Sequence, residues 1–156
     1  PESSVEAQKA IGADIIIPLD ILLPYNVKER KMLEMFHRTH RWEARSLQVH
    51  LQQPKQQAMY SVLHGGVDRG LRKVSVDYLT RLPFQGHAIG GSLGKTRQEM
   101  EALITYLMPL IPREKPVHLL GIGDIESITQ TLPHGIDTYD SAYPTKAGRH
   151  GQLFSE

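Results

Sequence analysis

Two aspartates, Asp20 and Asp140, each close a short apolar run. Carboxylates brought to one edge of a fold are equipped for nucleophilic or acid–base chemistry. The same residue type also caps the turn after a strand. Gly90-Gly91 allows a backbone to approach a planar ligand closely with its N–H groups free to donate, and equally makes a tight turn. Gly121-Ile122-Gly123-Asp124 resembles an anion-binding turn. Asp124 would repel a phosphate and no third glycine follows at dinucleotide spacing, so a plain strand-to-helix turn fits as well. Thr145-Lys146-Ala147-Gly148-Arg149-His150-Gly151, with Tyr143 just before it, gathers cations for a phosphate backbone or forms a solvated loop. His37 and His40 could share one helix face, but a third metal ligand is not evident and no metal is assigned. Lys31, Arg38, Arg41 and Arg45 share that helix with Glu29, Glu34 and Glu43, which reads as a solvated face first and an RNA face second.

The elements that must position these residues alternate regularly. Short apolar runs begin at Ile15, Met59, Gly86, Val117 and Ile136, and each ends in Asp, Gly or His. Unalternated runs of this kind suit strands buried on both faces of a parallel sheet. Between them, apolar residues recur at helical steps. Helices are expected from Lys28 to His50 over Met32, Met35, Phe36, Trp42 and Leu47, and from Asp68 to Arg81 over Leu71, Val74, Tyr78 and Leu82. A third runs from Thr96 to Leu110 before Pro112, and a short one is capped by Asp124 and reaches Leu132. The chain therefore reads as α/β, a parallel array of five βα units. Periodicity alone leaves open a doubly wound sheet or part of an eight-stranded barrel. Polar or Gly residues at every strand's C-terminal end favour the barrel, whose functional rim lies there.

Composition excludes several classes. The chain has 156 residues, 40% hydrophobic and 22% charged, with 18 Lys+Arg against 17 Asp+Glu. That supports one domain with a real core and gives no global basic field for nucleic acid, so any such contact must be local. With no cysteine, disulfides, thiol catalysis and cysteine-ligated zinc are excluded within this chain. No apolar run approaches the ~20 residues of a membrane span, and the N-terminus is neither a signal nor a transit peptide. A reducing compartment is compatible with this usage.

Several of these segments together resemble one family. Gly135-Ile-Asp-Thr-Tyr-Asp-Ser-Ala-Tyr-Pro-Thr-Lys-Ala-Gly-Arg-His-Gly151 resembles the G-[IV]-D-x-[FY]-D-C-x-x-P-T-R-x-x-R-x-G signature of tRNA-guanine transglycosylases, the queuine-inserting enzymes. Gly12-Ala-Asp-Ile-Ile-Ile-Pro-Leu-Asp20 is similar to the family's G-[SA]-D-I-V-M-x-[FL]-D. His64-Gly-Gly-Val-Asp-Arg-Gly-Leu-Arg72 is similar to its Q-G-[GS]-V-x-x-x-L-R. Ala88-Ile-Gly-Gly91 and Leu120-Gly-Ile-Gly123 match its A-[IV]-G-G and M-G-V-G. The motifs run in the family's order along nearly the whole chain.

The resemblance implies a (βα)8 TIM barrel of which residues 1–156 form a partial catalytic domain, the last five strands. The family's general-base aspartate would lie upstream and its zinc subdomain, built from three cysteines and a histidine, downstream. The chain would then be a fragment or a truncated gene product. No cofactor is expected within the chain itself. The implied activity is a cytoplasmic glycosyltransferase reaction exchanging guanine at the anticodon wobble position of tRNA for a 7-deazaguanine, queuine or its precursor. Asp140 aligns with the nucleophile, and Asp20, His64 and Gly91 with groups that bind the base. Gly121, Ile122, Gly123, Asp124, Ile125, Glu126 and Ser127, with Thr145, Lys146, Ala147, Gly148 and Arg149, align with segments that hold the RNA. tRNA and the base are the expected partners, a homodimer is possible for the full-length protein, and no membrane is expected. The chain departs from the family in having His64 for a glutamine, Ser141 for a cysteine and Lys146 for an arginine, and in a loop after Gly91 one residue shorter. Competing readings are a non-catalytic RNA-binding accessory subunit or inactive fragment of the same family, or an unrelated βα-barrel enzyme acting on a phosphorylated small molecule.

Overall fold

In a computed structural model, residues 1–22, 27–52 and 56–153 are described. Five parallel strands, β1 (Ile15–Ile16), β2 (Ala58–Leu63), β3 (Gly86–Ile89), β4 (Val117–Leu119) and β5 (Thr138–Tyr139), pair in sequence order. Every strand neighbours its successor, so the sheet has no point at which strand order reverses, as a doubly wound sheet must. This decides the alternative left open by periodicity. The fold is α/β, a curled half-barrel consistent with part of a (βα)8 TIM barrel.

Helices α1 (Glu2–Ile11), α2 (Glu29–Gln52), α3 (Arg69–Leu79), α4 (Arg97–Leu107), α5 (Ile125–Thr131) and α6 (Tyr143–Arg149) alternate with the strands. Three start on side chains that accept a backbone N–H: Asp68 from Leu71, Thr96 from Glu99 and Asp124 from Ser127, at 2.9, 3.2 and 3.0 Å. Such caps contribute about 1 kcal/mol each. Ile16, Met59, Val76, Leu79, Ile89, Leu103, Ile104, Leu107 and Leu119 fill the space between sheet and helices. No helix among the described residues is long and apolar enough to cross a membrane.

The ends of the sheet are shorter than the apolar runs suggest, because side chains take over backbone partners. Gln8 of α1 accepts from the Ile17 N–H at 2.9 Å and donates to the Ile17 carbonyl at 2.8 Å, and Pro18 has no N–H to extend the ladder. Asp137 accepts the Val117 N–H at 2.7 Å, and β5 starts only at Thr138.

Two helix faces differ from expectation. In α3 the buried residues are Arg72, Ser75, Val76 and Leu79, while Val74 and Tyr78 of the apolar ladder lie exposed. In α2 the buried face is Phe36, Thr39, His40, Glu43, Ser46, Leu47 and His50, so Glu43 belongs to the interior and not to a solvated face. The basic segment after Tyr143 is a helix, because Pro144 suits a first turn where no N–H is needed.

Candidate active site

Asp140 follows β5 directly, at the C-terminal rim, with its side chain more than half exposed. One carboxylate oxygen, Oδ1, accepts from the Gly121 N–H at 2.9 Å and lies 3.0 Å from His118 Nε2. Gly121, at φ 72, adopts a left-handed backbone that favours glycine and presents its N–H to the carboxylate. His118 sits in β4 between buried Val117 and Leu119, its Nδ1 2.8 Å from Thr138 Oγ1. Asp140 and His118 line a pocket of about 350 Å³ with Ile15, Ile17, Tyr60 and Leu120. The Tyr60 hydroxyl is pushed above its usual range, by burial first and then by the charge of Asp137.

The segment from Gly121 to Ser127 runs beside the same carboxylate. A Cβ placed on Gly123 would lie 2.3 Å from the Ser141 Cβ, so the loop after β4 and the residue after Asp140 pack backbone to side chain. Asp124 caps α5 and pairs with Arg97 at 3.1 Å, and Glu126 pairs with Arg97 at 2.7 Å. Burial works against the Asp124 charge, but Ser127 and Arg97 outweigh it and hold the carboxyl below its usual range. Gly91, Ser92, Leu120, Gly121 and Ser127 border one open pocket of about 480 Å³, which brings the loops after β3 and β4 together.

Asp20 lies on the rim beyond β1, partly buried, and the Ile21 N–H beside it donates to Thr39 Oγ1 at 3.1 Å. Burial pushes the Asp20 carboxyl upward, and the charge of His64 pulls it back. His64 follows β2 directly, with its side chain only 1% exposed. Its Nδ1 donates to the Val62 carbonyl at 2.9 Å and stands 3.5 Å from Glu43 Oε1, while Nε2 donates to the Phe36 carbonyl at 3.3 Å. An imidazole that donates from both nitrogens is an imidazolium. Burial opposes that charge, but Glu43 and the two carbonyls outweigh it and raise the His64 pKa. Glu43 is fully buried, and its other oxygen accepts the Val62 N–H at 3.0 Å. With these partners in place, neither ring nitrogen of His64 is available to a base at the rim, unlike the glutamine-like contact expected for it.

The rest of the map divides by exposure. Thr145, Lys146, Gly148 and Arg149 of α6 face solvent and Ala147 is buried. His37 is exposed, whereas His40 is buried against Phe36, His64 and Tyr78. Burial and the charges of His64 and His37 lower its pKa to about 3. No group of three or more His, Cys, Asp or Glu side chains converges on a metal position among the described residues.

Sequence reading missed three residues. His118 is the lone polar residue among the buried apolar ones of a short strand, which is the signal it offered. Glu43 follows His40 at a helical step, a signal masked by neighbouring acids that are solvated. Arg72 is fully buried and donates to the carbonyls of Leu63, Gly66 and Ser92 at 2.7, 2.7 and 3.0 Å. It thereby ties the turn after β2 to the loop carrying Gly91. Burial lowers its pKa to about 9.

This arrangement has close relatives. The family model described as Queuine tRNA-ribosyltransferase matches residues 1–156. A queuine tRNA-ribosyltransferase of Protochlamydia amoebophila is 56% identical over 156 residues, all of this chain and 40% of that protein. Proteins of the same name from Chlamydia caviae and Chlamydia pneumoniae are 51% identical over 155 residues and 50% identical over 156, covering 99% and 100% of the chain and 42% of each relative. The chain thus spans about two fifths of the length of these curated relatives. A match along the whole chain, with the five-stranded half-barrel and its rim aspartates, leaves one conclusion: the chain belongs to the queuine tRNA-ribosyltransferase family.

Proposed function

We propose that the protein exchanges guanine at the anticodon wobble position of tRNA for queuine or another 7-deazaguanine base, with Asp140 as the nucleophile. The observation that carries this reading is the state of the Asp140 carboxylate: it stands at the rim, more than half exposed, with two donors on one oxygen. In this reading Oδ2 attacks the ribose C1′ as the bond to guanine N9 breaks, and the electron pair leaves with the base. A second carboxylic acid, from outside this chain, gives the departing base its proton. The incoming base returns a proton to that carboxylate and attacks C1′ through N9, and the Asp140 carboxylate leaves with its electron pair. Two displacements retain the configuration at C1′.

Asp20 accepts from the two N–H groups on the guanine-like edge, and the Gly91 N–H donates to the base oxygen. His64 acts through Asp20, whose charged form its own charge favours. Gly121 to Ser127 and Thr145 to Arg149 hold the RNA strand. Arg97 pairs with both Asp124 and Glu126 and offsets one of their two negative charges, which lessens their repulsion toward phosphate.

Incorporation of labelled guanine into tRNA by the full-length protein tests the reading. The wild type exchanges the label, and Asp140→Asn loses on the order of a thousandfold or more while still binding tRNA, because the amide has no charge with which to attack. Exchange at the wild-type rate in Asp140→Asn would overturn it.

A further inference from the structure

We infer that His118 is a positioning residue for the nucleophile, which holds Asp140 Oδ1 through Nε2–H and so leaves Oδ2 to attack. The inference rests on Asp140 being the nucleophile.

Its basis is the pattern of donors around three side chains. Asp140 Oδ1 has the Gly121 N–H at 2.9 Å and His118 Nε2 at 3.0 Å, and Oδ2 has no hydrogen-bond partner among the described residues. An ionised carboxylate only accepts, so the Nε2 facing it carries the proton. At the other end of the ring, Nδ1 lies 2.8 Å from the Thr138 hydroxyl, which can donate. The register of the sheet pairs His118 with Thr138, so the contact follows from the strands themselves. A hydroxyl donating to Nδ1 and a carboxylate receiving from Nε2 fix one tautomer. The chain Thr138 to His118 to Asp140 thus runs in one direction, with each acceptor satisfied.

The chemical consequence is a division between the two carboxylate oxygens. Two N–H donors withdraw charge from Oδ1 and pin the plane of the group, while Oδ2 keeps its lone pairs unengaged on a carboxylate that lines a pocket together with His118. His118 stands at the wall of that pocket with its side chain 15% exposed, enough shielded from water for the hydrogen bond to hold its geometry. The same N–H bond supports the carboxylate when it departs in the second displacement. Because His118 acts on Asp140 and not on the RNA, its contribution falls on the rate at saturation and not on tRNA affinity.

The test measures single-turnover formation of the covalent RNA adduct by the full-length protein at saturating tRNA, with KM for tRNA measured alongside. In His118→Gln the side-chain amide reaches the place of Nε2, and the rate stays within about fivefold of wild type. In His118→Asn the amide reaches only the place of Nδ1, and the rate falls roughly 10- to 100-fold with KM changed by no more than about twofold. Thr138 is exposed, so Thr138→Val is tolerated structurally; it slows the wild type several-fold and has no effect in a His118→Gln background. His118→Asn as fast as wild type, or His118→Gln as slow as His118→Asn, overturns the inference. If His118→Asn does not fold, the Thr138→Val comparison decides, and an equal effect in both backgrounds overturns it. Asp140→Asn run beside these keeps the two claims apart: an adduct persisting there refutes the nucleophile itself, whatever His118 does.

Discussion

Buried histidines divide into two groups with opposite consequences for stability. His40 and His87 are buried with pKa values lowered to about 3 and about 4, His40 by burial and neighbouring His64 and His37, His87 by burial and Lys115. Burial and Lys9 lower His50 as well. The unfolded chain takes protons near pH 6.5 that the fold refuses, so these groups cost stability as pH falls from about 6.5 toward 4. Glu43 runs the other way, because its raised pKa makes the fold bind a proton before the unfolded chain does. His64, also raised, contributes below about pH 6.5 and loses that contribution as pH rises through its folded value. Three lowered histidines, with the lowered carboxyls of Glu2 and Asp124, outnumber the raised carboxyls of Glu43 and Asp20 and give a net loss on the acid side. Denaturant unfolding at several pH values should show stability falling from pH 6.5 to 4. His87→Leu should make that limb shallower, by at most about 1.4 kcal/mol per pH unit. A slope unchanged by the substitution would contradict the assignment. None of this was legible in the sequence, where a histidine directly after a glycine or one turn before an acid looks the same solvated or buried.

At the scale of elements, the contact between the loop after β4 and the segment after β5 sets the site. Gly123→Ala puts a Cβ into the Ser141 side chain and must move one of the two. The expected result is a loss of about 1–3 kcal/mol in thermal stability together with slower adduct formation. Ser141→Gly in the same protein should restore both, since it removes the atoms that collide. A Gly123→Ala protein as stable and as fast as wild type would contradict the packing. The outer helix α6 makes a separate prediction. Lys146 and Arg149 are exposed on it, so Lys146→Ala and Arg149→Ala should each weaken tRNA binding and lower its salt dependence by about one phosphate contact, with base affinity unchanged. A salt slope that does not change would place the RNA elsewhere. The strands and four central helices were readable from apolar runs and caps, because those signals are local. The shortness of the first and last strands was not, because the Gln8 and Asp137 side chains take backbone partners at the ends of the sheet. Nor was the buried face of α3, where Arg72 lies inside because the carbonyls that pair with it come from two other loops.

For the whole molecule, sequential strand order and rim placement turn a set of motifs into an arrangement. β1 and β5 are the edges of the sheet, and Asp20 and Asp140 follow them on the same rim. The motifs placed both aspartates, while the partners that hold Asp140 became visible only when β4 and β5 were brought side by side. The central claim is that Asp140 bonds to the ribose. Its most direct measurement is to mix the full-length protein with tRNA, denature, digest with protease and nuclease, and locate the ribose adduct by mass spectrometry. The account predicts an adduct on the peptide containing Asp140, dissolved by adding base before denaturation and absent from Asp140→Asn. A reaction that exchanges base with no adduct, or with the ribose on another residue, would contradict it.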